Sequence, residues 1–222
     1  MIWHFKPGQF DAMIEKITRK KMRHMRENNK TLQLAQAALL AALCYIGFQF
    51  FRFDFTLGGS KTAIHFGNTF CVLGALLIGG RLGGLAGAVG MTIADLTSGY
   101  AISAPKTFIL KLCIGLIVGF IAHKVAHISE HHEKGYIAKW AVISALGGMA
   151  FNVVADPLVG YVYNTYLLGI QQDIASAFAK MAAATTLFNA VTSVFLAALL
   201  YVAVRPALSK AGLFVTRSQD KI

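Results

Sequence analysis

The chain has 222 residues, 56% of them hydrophobic and only 14% charged, with a formal net charge of +11 at pH 7. A mean hydropathy of +0.57 excludes an ordinary water-soluble domain. The three cysteines, Cys44, Cys71 and Cys113, are odd in number and lie inside apolar stretches, so they read as packing residues and not as a disulfide framework.

In chain order, residues 1–30 form a basic leader carrying Lys6, Lys16, Arg19, Lys20, Lys21, Arg23, Arg26 and Lys30. Phe10, Met13, Ile14, Ile17 and Met25 fall near one helical face between these charges. That pattern suits an amphipathic helix lying on the cytoplasmic surface; a partly disordered basic leader is the other open reading. The charged leader and the length of the apolar segment after it argue against a cleavable signal peptide. Apolar stretches then follow at about 31–51, 62–80, 82–99, 104–122, 140–166 and 175–204. Roughly 20 residues at 1.5 Å each cross about 30 Å of hydrocarbon. The expectation is therefore an all-α, polytopic membrane protein: six transmembrane helices over 31–204 and a basic tail over 205–222. The third stretch is short and the last two are long, so tilt or projection beyond the bilayer must absorb the difference.

Most of the 21 Lys+Arg fall on one side of that arrangement. They are the leader's, Arg81, Lys124, Lys134 and Lys139, and Arg205, Lys210, Arg217 and Lys221 in the tail. By the positive-inside rule both termini are cytoplasmic, in a plasma membrane, and the net charge reports topology and attraction to anionic lipid instead of nucleic-acid binding. Trp140 at an inner end, and Tyr100, Tyr161, Tyr163 and Tyr166 at outer ends, suit interfacial belts.

Small residues recur four apart at Gly83 and Gly87, Gly90 and Ala94, and Gly115 and Gly119, a spacing that lets helix backbones approach closely. On the first segment the pairs Ala37/Ala41 and Ala38/Ala42 make two adjacent small faces. One neighbour within the bundle does not require both, so an external helix has room to dock there.

Polar residues gather in the outer half. His65 and Asn68 open the second segment after Lys61; Asp95, Thr97 and Ser98 close the third; Pro105, Lys106 and Lys111 begin the fourth. Asn152 and Asp156 are four apart on one face of the fifth, with Tyr163 near it, and Pro157 frees the carbonyl of Val153 at that depth. Thr185, Asn189 and Thr192 form a polar stripe at i, i+4, i+7 on the sixth. Ionisable groups at membrane depth cost a few kcal/mol unless they face protein or a wet cavity, so they mark a binding or transport site by default. Quieter readings stay open: an Asp95–Lys111 structural ion pair, snorkelling by Lys106 or Lys180, and interhelical hydrogen bonds from Asn189 and the threonines. The candidate substrate-binding set is His65, Asn68, Asp95, Lys111, Asn152, Asp156, Tyr163 and Asn189.

His123, His127, His131 and His132 lie in a cytoplasmic loop, the first three at a spacing that can chelate a metal, but Glu130, Glu133 and Lys134 mark an ordinary solvated loop. No metal site is expected. Gly58-Gly59-Ser60-Lys61-Thr62 looks like the end of a phosphate loop, yet its first glycine is missing and no strand-to-helix context surrounds it. With no H-E-x-x-H, G-x-S-x-G or paired-carboxylate motif, an enzyme is not expected, and any ATP must be used by another subunit.

The runs His65-Phe66-Gly67-Asn68, Leu76 to Gly80, Gly83-Gly84-Leu85-Ala86-Gly87, Ala94-Asp95-Leu96 and Ala104-Pro105-Lys106-Thr107-Phe108, continuing through Lys111 and Gly115, carry a resemblance. They resemble the S-components of energy-coupling factor (ECF) transporters, and more narrowly the riboflavin-type branch, which includes pyridoxine and hydroxymethylpyrimidine binders. The resemblance spans roughly residues 31–204 and is weak in the leader and tail. It implies a six-helix, substrate-capturing membrane subunit that binds no cofactor itself. It also implies partners: a transmembrane coupling subunit, reached through an A-x-x-x-A motif matched here by Ala37 and Ala41 or Ala38 and Ala42, and two cytoplasmic ATPases. Substrate is expected near the outer face, carried inward by toppling of the subunit. A carboxylate, two amides, a lysine and aromatic rings suit a small hydroxylated heteroaromatic such as pyridoxine, with hydroxymethylpyrimidine, riboflavin, pantothenate and folate as other vitamins. A stand-alone secondary transporter is the alternative class, but no convincing inverted repeat supports it.

Overall fold

The structure, a computed structural model, describes residues 7–57 and 60–213, with most side chains before Lys30 outside the description. Phe10, Met13, Ile14, Ile17 and Met25, and Gly58, Gly59, Arg217 and Lys221 of the tail and loop, thus lie outside the described residues or side chains. The described residues build six α-helices and one β-hairpin: α1 (Pro7–Gln49), β1 (Arg52–Leu57), β2 (Ser60–His65), α2 (Gly67–Ile78), α3 (Gly80–Thr97), α4 (Ala104–Phe120), α5 (Lys134–Val162) and α6 (Gln172–Lys210). Single π-type turns extend α4 over Ile121–Val125 and α5 over Tyr163–Leu167. Among the described residues four helical stretches, Lys30–Gln49, Ala101–Val125, Lys134–Leu167 and Gln172–Lys210, are long and apolar enough to cross a membrane.

Two departures from the sequence expectation matter. The all-α reading missed the antiparallel hairpin, in which Arg52 pairs with His65 and Thr56 with Lys61. Residues 62–65 had been joined to the second apolar stretch, because a short apolar run does not distinguish strand from helix. The alternation of Phe53 and Phe55 with Arg52 and Asp54 was the legible period-two signal. As a consequence α2 has only 12 residues, about 18 Å, well short of the hydrocarbon core. α1 also runs unbroken through residue 30, without a helix end between leader and first apolar segment.

α2 begins where His65 folds back, its Nδ1 accepting the Gly67 N–H at 3.2 Å. It ends at Gly79, whose φ of +86° and ψ of 164° suit a residue without a Cβ. From that turn α3 returns antiparallel to α2, Gly83 lying against the backbone of Gly74 and Ala75. α4 then packs along α3 through a seam of glycines, Gly84 against Gly115 and Gly80 against Gly119, so close that a Cβ on Gly115 would run into the Gly84 Cα. The Gly115/Gly119 pair thus meets partners of the same four-residue spacing across the interface. On α1, Gly90 of α3 sits against the Ala41 carbonyl, while Ala38 and Ala42 face outward beside Leu34 and Leu39.

The buried core runs down the middle of the bundle through Cys44, Cys71, Leu76, Met91, Ile114, Met149 and Tyr201. Large apolar side chains on the outside of α5 and α6, among them Val154, Leu158, Val191 and Phe195, are exposed as lipid-facing residues are. At the end opposite the hairpin, His123 is held by Ser129 Oγ at 3.0 Å and the Ala75 carbonyl at 3.1 Å. The helical phase that would align His127 and His131 with it is lost after Val125, where His127 takes a φ of +46°. Among the described residues no three His, Cys, Asp or Glu side chains gather as metal ligands would.

Candidate functional site

A cavity of about 320 Å³ opens at the hairpin end of the bundle. β2 and the start of α2 contribute Lys61, Thr62, His65 and Asn68; the end of α3 contributes Asp95; the first half of α4 contributes Lys106, Thr107 and Lys111. Asn152, Asp156 and Tyr163 come from α5 and its extension, and Thr185, Thr186 and Asn189 from α6. All eight sequence-predicted residues therefore line one cavity, at the end where the antiparallel order of α2 to α6 brings their polar halves together. Phe48, Met91 and Phe178 supply apolar wall.

The groups differ in how much bonding capacity they have left. Both oxygens of Asp156 are engaged within the protein: Oδ1 takes a charged hydrogen bond from Lys106 Nζ at 2.9 Å and Oδ2 one from the Thr186 hydroxyl at 2.8 Å. The ion pair at the site is thus Lys106–Asp156, joining α4 to α5, and neither snorkelling of Lys106 nor an Asp95–Lys111 pair describes the arrangement. Tyr163 donates its hydroxyl proton to the Ile102 carbonyl at 2.8 Å and keeps its ring and an accepting oxygen.

Asn189 is also occupied. Its Oδ1 accepts the His65 backbone N–H at 3.0 Å, and its Nδ2 donates to the Ala63 carbonyl at 3.0 Å. The side-chain amide thereby pairs with β2 as a neighbouring strand would, and clips the hairpin to α6, helped by the Thr62–Thr185 hydroxyl contact at 2.9 Å. Asn189→Ala is expected to cost about 2 kcal/mol, because it leaves two buried backbone groups unbonded. Thermal unfolding in detergent reads that loss, and hydrogen exchange over 60–65 should accelerate with it.

Three oxygens on the cavity residues remain without a partner: Asn68 Oδ1, Asp95 Oδ2 and Asn152 Oδ1, on residues exposed by only 1%, 4% and 1%. Lys111, 7% exposed, likewise has no carboxylate within 4.0 Å among the described residues. Burying such groups costs free energy unless something bonds them, so these four are the groups with capacity to spare for a solute.

Over the cavity mouth a second polar cluster, outside the helices, holds the hairpin down. Asp54 on β1 meets Arg52 and Lys61 at 3.2 Å each, accepts the Tyr100 hydroxyl at 2.9 Å, and Lys61 also donates to the Ser98 carbonyl at 3.3 Å. Partial burial pulls the Asp54 carboxyl upward, but the Tyr100 hydroxyl and the Lys61 and Arg52 charges outweigh it and hold the group below its usual range. A depressed carboxylate pKa contributes stability above the unfolded value, about 3.9, and loses it as pH falls through the lower folded value. Hydrogen exchange over 52–65 is therefore expected to stay slow down to about pH 4 and to accelerate only below it. Asp54→Asn should abolish this acid-dependent component.

Sequence reasoning left Thr186 out of the site. The stripe Thr185, Asn189, Thr192 and the stripe Thr186, Asn189, Ser193 have nearly the same helical spacing, and periodicity alone does not choose between them. The structure chooses the second for the interior. Thr186 and Ser193 are buried, whereas Thr192 is only half-buried and bonds the Phe188 carbonyl of its own helix. Lys61 and Tyr100 were legible as outer-end residues, but their link to Asp54 depends on the hairpin.

No curated protein and no solved structure matches the chain. Residues 28–206 match the family model described as the ECF-type riboflavin transporter, S component. The glycine-seamed bundle with a polar cavity is the fold on which that match lies. The chain belongs to this family, and is a membrane-embedded, non-enzymatic subunit that binds a small-molecule vitamin substrate and associates with an ECF module.

Proposed function

We propose that this chain captures pyridoxine at the outer face of the plasma membrane and delivers it inward once docked on a transmembrane coupling subunit driven by two ATPases, which alone use ATP. The observation that carries the reading is a polar cavity, walled by six helices and the hairpin and bearing four buried polar groups with free bonding capacity. Its volume of about 320 Å³ lies at the small end of ligand pockets, which favours a one-ring solute over a tricyclic flavin. Asn68, Asp95, Lys111 and Asn152 supply acceptors and a cation for ring substituents, and the Tyr163 ring supplies a stacking wall. His65, Asp156 and Asn189 support the site from behind, through the hairpin and the α4–α5 pair.

The proposed topology keeps six membrane segments with both termini cytoplasmic, the short α2 reaching the outer surface through the hairpin. The contact with the coupling subunit lies on the exposed Ala38/Ala42 face of α1, because the Ala37/Ala41 face is half-buried and meets α3 through Ala41. Equilibrium binding of pyridoxine, hydroxymethylpyrimidine, riboflavin, pantothenate and folate to the purified protein tests the function. Pyridoxine is expected to bind tightest, and Asn152→Ala to weaken it about 3- to 10-fold, as loss of one neutral hydrogen bond does. Tighter riboflavin binding would overturn the choice of vitamin, and no binding at all would overturn capture.

A further inference from the structure

Once bonded groups are set aside, the cavity presents an uneven charge pattern. Asp156 is bonded to Lys106 and Thr186 and acts on Lys111 only as a more distant charge, beyond 4.0 Å, and Lys61 is engaged by Asp54. What remains is one cation, Lys111 of α4, and one carboxylate oxygen, Asp95 Oδ2 of α3, which the fold holds apart beyond ion-pair distance although both line the same cavity. A buried ammonium and a buried carboxylate that do not neutralise each other are costly unless the solute supplies the opposite charge to each.

We infer that the site recognises its solute as a dipole, with an ionised ring oxygen against Lys111 and a protonated ring nitrogen against Asp95. This rests on the pyridoxine reading above and deepens it. A 3-hydroxypyridine can shift its phenolic proton to the ring nitrogen, leaving a phenolate and a pyridinium in one neutral molecule. No atom or electron leaves the pair, so the exchange needs no co-reactant. The amides of Asn68 and Asn152 then take the remaining hydroxyls. A solute of this type crosses the site without adding net charge, yet satisfies both ions of the protein. Hydroxymethyl substituents alone would leave both ions unmatched.

The test uses the full-length protein with pyridoxine, its 3-O-methyl ether, which keeps the ring nitrogen and cannot form the dipole, and the variants Lys111→Met and Asp95→Asn. Wild type should bind the ether about 10- to 100-fold more weakly than pyridoxine, the range for a hydrogen bond to a charged group. Bound pyridoxine should show the long-wavelength absorption of its dipolar form. Lys111→Met should bind the two compounds with nearly equal affinity, and Asp95→Asn should diminish the dipolar absorption of any pyridoxine still bound. Equal wild-type binding of pyridoxine and its ether, or bound pyridoxine with the spectrum of the uncharged form, would overturn the inference while leaving pyridoxine capture standing. Binding of neither compound would overturn both. The wild-type arm does not depend on either variant folding.

Discussion

Asp156→Ala is expected to lower stability by about 3 kcal/mol, the largest effect of any polar substitution at the site. The carboxylate accepts from both Lys106 and Thr186, and through them it joins α4, α5 and α6. Removing one partner of a buried ion pair costs about 3–5 kcal/mol, because the other charge is left in a poor solvent. The side chains of Lys106 and Asp156 are 16% and 19% exposed, toward the cavity, so the lower end of that range applies. The loss should come mainly from the stranded ammonium, and the double variant Lys106→Met/Asp156→Leu should then recover much of it. Thermal unfolding of the single and double variants in the same detergent measures both. A double variant no more stable than Asp156→Ala would contradict this account.

Gly115→Leu is expected to be still more damaging, costing about 3 kcal/mol or more and reducing the yield of monodisperse protein. The seam of Gly80 and Gly84 against Gly115 and Gly119 brings two helix backbones so near that even a Cβ meets main chain. Main chain cannot rotate aside as a side chain can, so α3 and α4 must separate. Their separation would also move Asp95 on α3 away from Lys106 and Lys111 on α4. As a control, Val191→Leu on the exposed side of α6 adds volume where only lipid is displaced, and should shift unfolding by less than about 0.5 kcal/mol. Size-exclusion profiles and melting curves of the two variants separate these outcomes.

Much of this architecture can be read from local signals. Six helices occur where six apolar stretches run, and the residues predicted to form a site do line one cavity. That succeeds because each polar residue reports its own depth: it sits a countable number of residues from the end of its segment. Alternating direction then places equal depths together. The hairpin was less accessible. Residues 62–65 merge by hydropathy with the second apolar stretch, and only the pairing of Ser60–His65 with Arg52–Leu57 makes them part of a strand. Thr186 was missed for a related reason, since a stripe of polar residues on a helix leaves its exact rotation open by one position.

What each group has left to offer a solute was not legible at all. Asp156 and Asn189 are ordinary candidates as residue types, and only the positions of Lys106, Thr186, Ala63 and His65 show that each of their polar atoms already has a partner within the protein. The sequence by itself determined that the chain is a membrane protein, which half of it is polar, and which residues are small enough for close helix contacts, because hydropathy, depth and side-chain volume are properties of residues along one segment. The tertiary structure alone decided that Lys106 pairs with Asp156, that Asn189 holds the hairpin, and that Lys111 and Asp95 stand beyond ion-pair distance of each other in the cavity. Hydrogen bonds and ion pairs fall off over a few ångströms, and distances between side chains on different helices are set by how the helices pack.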